Sequence, residues 1–162
     1  MTWLWRLPRP KLLAYSQRRP YTGLFGRYVV QPAVGCGAFI LRDGHLLLIR
    51  RVKAPEAGCW GLPGGKVDPF ETVAQAAMRE VREEVGLELE AGPLLCVVDQ
   101  IDRSAGTHWI APVYRVTTVQ GEPRLCEPHK HNGLGWFALD ALPQPLTLAT
   151  QVAVQAYHAQ QA

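Results

Sequence analysis

The chain has 162 residues, 48% of them hydrophobic, and a formal net charge of +3. This length and composition are typical of one globular domain with a sizeable core. No apolar stretch approaches the roughly 20 residues that a membrane-spanning helix needs, and the Arg and Pro residues scattered through residues 1–20 argue against a secretory signal.

The cysteines do not indicate a metal site. None of the four forms a Cys-x-x-Cys pair, which argues against zinc. Cys36 and Cys96 lie in apolar, strand-like runs and are interpreted as small buried hydrophobic residues. Free cysteines of this kind fit a reduced, cytoplasmic setting.

The first 28 residues differ in composition from the rest. They are basic and aromatic, and no Asp or Glu occurs before Asp43. Such segments are able to stack on single-stranded nucleic acid, but aromatic residues more often cover a core or form a contact between subunits. We therefore predict an extension at 1–28 that packs on the domain or at an interface, such as a homodimer contact, and a main domain at 29–162. Nucleic acid and membranes are not expected as partners.

The first half of the main domain predicts strands. Residues 33–41 form an apolar run with small residues, which is typical of a strand. Asp43-Gly44 indicates a hairpin turn, and 45–51 is predicted as the returning strand. A loop at 52–59 and a short strand at 60–63 then lead into the turn Leu62-Pro63-Gly64-Gly65-Lys66, where glycine allows the backbone to come close to a ligand.

A helix is predicted after this turn, from Pro69 or Phe70 to about Val85. Glu71 then lies in its first turn, where a carboxylate suits the helix dipole. Gly86 is a plausible C-cap, and an apolar stripe follows the helical period, formed by Ala74, Ala77, Met78 and Val81.

The second half predicts two strands that form a hairpin, at 94–102 and 107–119, the second interrupted by Pro112. Another short strand is predicted at 134–139, and a terminal helix at 147–160.

Three carboxylates recur at helical spacing. Glu80, Glu83 and Glu84 stand at i, i+3 and i+4, so they share one face of the predicted helix. Like charges at those spacings repel, and a divalent cation removes the repulsion. Oxygen ligands suit Mg²⁺, with Mn²⁺ as the alternative. A cation held there would favour hydrolysis of a diphosphate linkage.

The run from Gly65 to Leu87 resembles the signature of the Nudix hydrolases. That signature has Gly, five residues, Glu, seven residues, Arg-Glu, two residues, Glu-Glu, one residue, Gly and an aliphatic residue. Its positions here are Gly65, Glu71, Arg79, Glu80, Glu83, Glu84, Gly86 and Leu87. The resemblance implies an α/β fold, a Nudix-type α/β/α sandwich with a mixed β-sheet.

The resemblance also implies roles for the residues of the signature. Glu80, Glu83 and Glu84 would bind metal, together with the carbonyl of Gly64. Glu71 and Arg79 would pair to brace the loop and the helix, whereas Arg82 is expected on the surface. Outside the signature, Arg51 and Lys66 are candidates for binding substrate phosphates, with a role as surface charges weighed equally.

The general base is less well defined by the sequence. Residues 127–136 resemble the Glu-Pro-x-Lys segment of the MutT-like nucleoside triphosphate pyrophosphohydrolases, which makes Glu127 or a signature glutamate the candidate base. His129 and His131 titrate near neutrality and could assist, but we expect both to be exposed.

The function implied is Mg²⁺-dependent hydrolysis of a nucleoside triphosphate to the monophosphate and pyrophosphate. The catalytic residues would be Glu80, Glu83, Glu84 and Glu127. An ADP-ribose or other nucleoside diphosphate sugar pyrophosphatase is the alternative among enzymes. A non-catalytic module that senses or binds a nucleotide is the alternative of another class, although such a module would be expected to have lost signature glutamates.

Overall fold

The computed structural model describes residues 31–161, so the predictions for 1–28 lie outside the described residues. The elements follow one another along the chain as β1 (Ala33–Val34), β2 (Gly37–Phe39), β3 (Leu41–Arg42), β4 (His45–Arg51), β5 (Trp60–Gly61), α1 (Val73–Val85), β6 (Glu88–Asp102), β7 (Thr107–Gln120), β8 (His131–Ala138) and α2 (Leu148–Ala159). No helix in 31–161 is both long and apolar enough to cross a membrane.

The strands form two four-stranded sheets. In the first, β7 pairs antiparallel with β6 and parallel with β1 and β2, so this sheet is mixed. In the second, β4 pairs antiparallel with β3, β5 and β8. The two sheets are joined where the amide of Leu47 donates to the carbonyl of Ile40 at 3.0 Å.

The two helices cover opposite faces of this β layer. Side chains of a strand alternate between faces, and β4 shows the alternation directly. Leu47 and Ile49 pack in one core cluster with Val81 and Val85 of α1. Leu46 and Leu48 pack in a second cluster, which contains Ala153 of α2. The predicted α/β class and the sandwich arrangement with a mixed sheet are therefore confirmed.

The helix α1 begins later than predicted. Thr72 is its N-cap: the Thr72 hydroxyl accepts from the Gln75 amide at 3.2 Å, and the Gln75 side chain accepts from the Thr72 amide at 2.8 Å. This reciprocal capping box fixes the start at Val73. Glu71 consequently lies in the loop before the helix and not in its first turn. At the other end, Gly86 has the predicted C-cap conformation with a φ of 69°.

Three smaller predictions also need correction. The run 33–41 is divided among three short strands, because the amides of Cys36 and Ala38 donate to the glycine turn, at the carbonyls of Gly65 (2.8 Å) and Pro63 (2.9 Å). Pro112 does not interrupt β7, since it lies between the residues that pair with β1 and those that pair with β2. Cys96 is half-buried, not buried as predicted.

Candidate active site

The glycine turn is wedged between β2 and α1. A Cβ on Gly64, whose φ is 150°, would collide with the backbone of Cys36. A Cβ on Gly65 would lie 2.5 Å from the carboxyl carbon of Glu80. The two glycines therefore allow backbone and carboxylates to occupy the same narrow space. The amide of Gly64 donates to Oε2 of Glu84 at 2.9 Å, which ties the turn to the helix.

The structure brings two of the three predicted metal-binding glutamates into the interior. Glu80 and Glu84 are 8% and 3% exposed, whereas 49% of the Glu83 side chain is exposed at the edge of the site. Arg79 bridges the neighbouring carboxylates, with Nη1 2.9 Å from Oε1 of Glu80 and 3.2 Å from Oε2 of Glu83. The position of the Gly64 carbonyl as a ligand stays a prediction.

Arg79 also makes the predicted pair with Glu71. Its Nε and Nη2 donate to the two Glu71 oxygens at 3.1 and 2.6 Å, and Nη2 donates to the carbonyl of Lys66 at 3.0 Å. The hydrogen bonds from Arg79 hold the pKa of the Glu71 carboxyl below its usual value, and the same contacts raise the pKa of the guanidinium. One side chain thus fastens the loop, the turn and the helix together.

Glu84 is a buried carboxylate among other carboxylates. Burial raises the pKa of Glu84 to about 8, the Gly64 amide opposes this shift, and the nearby charges of Glu80 and Glu127 add to it. A cation would relieve the cost of ionising this group, and carboxylate oxygens are the donors that Mg²⁺ and Mn²⁺ prefer. The residues present therefore fit a divalent cation.

Glu127 reaches the same place from a distant part of the chain. Backbone hydrogen bonds anchor its segment to the end of α1, since the amides of Arg124 and Cys126 donate to the carbonyls of Val85 and Glu84 at 3.0 and 2.9 Å. The Glu127 carbonyl in turn accepts from the amides of Lys130 and His131. This tight turn places a carboxylate oxygen of Glu127 within 4.8 Å of one of Glu84.

His131 corrects an expectation, because it is 3% exposed and not on the surface. Its Nε2 lies 3.5 Å from Oε1 of Glu84. Burial lowers the pKa of His131 to about 4, and the charge of Arg51 adds to this effect, so the imidazole is neutral. The sequence interpretation missed it because β8 begins at His131, in register with Arg51, and not at Leu134. His129 is exposed, as expected.

A cavity of about 270 Å³ adjoins the glycine turn. Both predicted phosphate-binding cations, Arg51 and Lys66, line it, next to Gly64 and Gly65. The lining also includes Trp109 and Gln100, which no sequence motif marks. The loop at 52–59 contributes Glu56, whose carboxylate accepts from the amide of Leu148 at 2.7 Å. No sequence motif marks Glu56, since this contact joins residues 92 positions apart.

Comparison with known proteins assigns the family. The model of the NUDIX domain matches residues 31–158. The chain is 36% identical over 118 residues to an ADP-ribose pyrophosphatase of Methanocaldococcus jannaschii, which covers 73% of this chain and 69% of that protein. It is 33% identical over 127 residues to the CTP pyrophosphohydrolase of Escherichia coli K12, covering 75% and 88%.

A solved structure indicates the same family. The crystal structure of a MutT NUDIX hydrolase from Burkholderia pseudomallei is 62% identical in sequence and superposes with a TM-score of 0.76, covering 78% of this chain and 98% of that one. The complete signature, the sandwich fold and these similarities agree, and the chain is a hydrolase of the Nudix family.

Proposed function

We propose that this Nudix hydrolase cleaves nucleoside triphosphates to the monophosphate and pyrophosphate with the help of Mg²⁺. The observation that carries the proposal is the position of Glu80 and Glu84 against Gly65 and Gly64, because these glycines line a cavity that is also lined by two cations. Negative groups that gather a metal and positive groups that bind phosphate are the two requirements of diphosphate hydrolysis.

The choice of a triphosphate over a nucleotide sugar is supported by residues 127–136, which resemble the Glu-Pro-x-Lys segment of the MutT-like nucleoside triphosphate pyrophosphohydrolases. The cavity of about 270 Å³ offers a place for the nucleoside part of the substrate. Trp109 offers a flat apolar face to a base, and the amide of Gln100 is able to donate or accept hydrogen bonds at the base edge.

In the proposed reaction the phosphate chain lies along the glycine turn. Lys66 and Arg51 would bind phosphate oxygens as charge partners. The divalent cation, held by Glu80, Glu83, Glu84 and the Gly64 carbonyl, would neutralise phosphate charge and increase the electrophilicity of phosphorus. Arg79 would keep Glu80 and Glu83 oriented during turnover.

Glu127 is the proposed general base. Its carboxylate projects into the cluster from the tight turn before β8 and would take a proton from the attacking water. Lys130, whose Nζ lies 2.7 Å from Oε2 of Glu127, positions the carboxylate when no substrate is bound. The water oxygen would attack phosphorus, and the bond from phosphorus to pyrophosphate oxygen would break.

ADP-ribose hydrolysis is the second candidate, because the relative from Methanocaldococcus jannaschii is named an ADP-ribose pyrophosphatase. A panel of nucleoside triphosphates, ADP-ribose and nucleotide sugars with Mg²⁺ separates the two, with products identified by ³¹P NMR. We expect the highest kcat/KM for a nucleoside triphosphate, with pyrophosphate and a monophosphate as the products. A higher kcat/KM for ADP-ribose would replace the proposal with the second candidate.

A variant pair tests the site itself. Glu84→Gln should lower kcat by about 100-fold or more with the fold retained, because it removes a negative charge from the cation site. Glu90→Gln changes an exposed glutamate outside the cluster and should leave kcat unchanged. Equal rates in the two variants would rule out the assignment of Glu84.

A further inference from the structure

The imidazole of His131 lies among the carboxylates of the candidate site. We propose that His131 supplies a nitrogen ligand to a divalent cation, together with one oxygen each from Glu84 and Glu127, and that the site therefore binds Mn²⁺ more tightly than Mg²⁺. The inference deepens the proposed function, on which it rests for the assignment of a cation to Glu84. It adds a ligand that lies outside the signature and a preference among metals.

The spacing of the three side chains suits one ion. One potential ligand atom from each of Glu84, Glu127 and His131 lies within 4.8 Å of the other two. Three ligand atoms at about 2.1 Å from one ion are about 3–4 Å apart. Movements of up to about 1 Å by these side chains would therefore close the group around an ion.

The imidazole of His131 makes no hydrogen bond with the side chains or backbone of residues 31–161. The residue is 3% exposed, and its Nδ1 is buried with no hydrogen-bond partner among residues 31–161. Its Nε2 lies 3.5 Å from Oε1 of Glu84, which is longer than a hydrogen bond. A neutral imidazole has one nitrogen with a free lone pair, and beside two carboxylates that lone pair is available to a cation.

The position of Lys130 is consistent with metal binding by Glu127. Nζ of Lys130 lies 2.7 Å from Oε2 of Glu127, and 40% of the Lys130 side chain is exposed. Lys130 is thus able to rotate into solvent and leave one Glu127 oxygen to a metal and the other to the attacking water. An imidazole favours transition metals over Mg²⁺, which binds oxygen ligands almost exclusively.

The first test detects the nitrogen directly. Tag-free full-length protein, stripped with a chelator and loaded with one equivalent of Mn²⁺, would be measured by electron spin-echo envelope modulation. We expect ¹⁴N modulation from an imidazole in the wild type and in His129→Gln, which changes the exposed neighbour, and none in His131→Gln. Wild-type protein without the modulation, or His131→Gln with it, would overturn the proposal.

The second test compares affinities. Mn²⁺ affinity should fall by about tenfold or more in His131→Gln, and Mg²⁺ affinity should fall by less. Equal losses for the two metals would overturn the preference. The wild-type spectrum decides the question even if the variant fails to fold. If the protein shows ¹⁴N modulation but hydrolyses no nucleotide, the proposed function is wrong and His131 is still a metal ligand. If it hydrolyses nucleotides without the modulation, the proposed function stands and His131 is not a ligand.

Discussion

Gly65 and Glu80 share a space that has no room for one more carbon atom. A Cβ on residue 65 would lie 2.5 Å from the Glu80 carboxyl carbon and 2.6 Å from both of its oxygens. Gly65→Ala should therefore displace the carboxylate and lower kcat by about 100-fold, with the circular dichroism spectrum retained.

Gly106→Ala is the control for backbone strain alone, because residue 106 has a φ of 63° at the hairpin tip and its Cβ would meet nothing within 4 Å. We expect wild-type kcat in that variant. Wild-type kcat in Gly65→Ala as well would contradict the tight fit at Glu80.

Arg79 should matter more for stability than its neighbour in the same helix. Arg79→Lys removes the fork that binds both oxygens of Glu71 and the contact to Glu80, and should lower the free energy of unfolding in urea by about 1–2 kcal/mol. Arg82→Lys alters only an exposed pair with Glu88 and should leave the free energy of unfolding nearly unchanged. Equal losses would show that Arg79 does not brace the site.

The Glu71–Arg79 pair also predicts a dependence of stability on pH. The pKa of Glu71 is lower in the folded state than its ordinary value of 4.5. The contribution of the pair is therefore present above pH 4.5 and is lost as the pH falls through the folded pKa. The difference in unfolding free energy between wild type and Glu71→Gln should be larger at about pH 7 than at about pH 3. A difference independent of pH would refute this origin.

Glu127→Gln should test the base. If Glu127 accepts the proton of water, kcat should fall by about 10²- to 10⁴-fold while KM changes little. Glu122→Gln, at an exposed residue paired with Arg42, serves as the control. An unchanged kcat in Glu127→Gln would remove it from that role and leave a signature glutamate as the candidate.

Glu56 should affect binding more than chemistry. Its carboxylate joins the loop at 52–59, a wall of the cavity, to the first turn of α2 through Leu148. Glu56→Ala should free the loop and raise KM several-fold, with a smaller change in kcat. Lys53→Ala changes an exposed residue of the same loop and should alter neither constant. A fall in kcat alone would argue against a role in substrate binding.

The parts of the site within the signature were predictable because their spacing is local. Glu80 and Glu84 are four residues apart, so any helix places them on one face. The pair of Glu71 and Arg79 followed from the resemblance. The start of α1 was also available in the sequence, since Thr72 and Gln75 have the spacing of a capping box, but the apolar Phe70 was assigned to the helix instead.

The parts that depend on distant pairing were not predictable. The burial of His131 follows from its register with Arg51, which lies in another strand 80 residues earlier. The exposure of a side chain at a strand end depends on which partner strand covers it. The alternation of apolar and polar residues along one strand does not show which strand that is. The contact of Glu56 with Leu148 is of the same kind.

The two hydrogen bonds from Arg124 and Cys126 to the end of α1 fix the point at which the chain returns to the active site. The chain leaves α1, forms the long β6–β7 hairpin and returns to within one residue of Glu127. Because the return point is fixed by α1 itself, residues added at the hairpin tip near Gly106 would lengthen an arm without moving Glu127 relative to Glu84. That tip is therefore the place where a tag, a fluorescent label or a whole inserted domain should be tolerated with the catalytic geometry preserved.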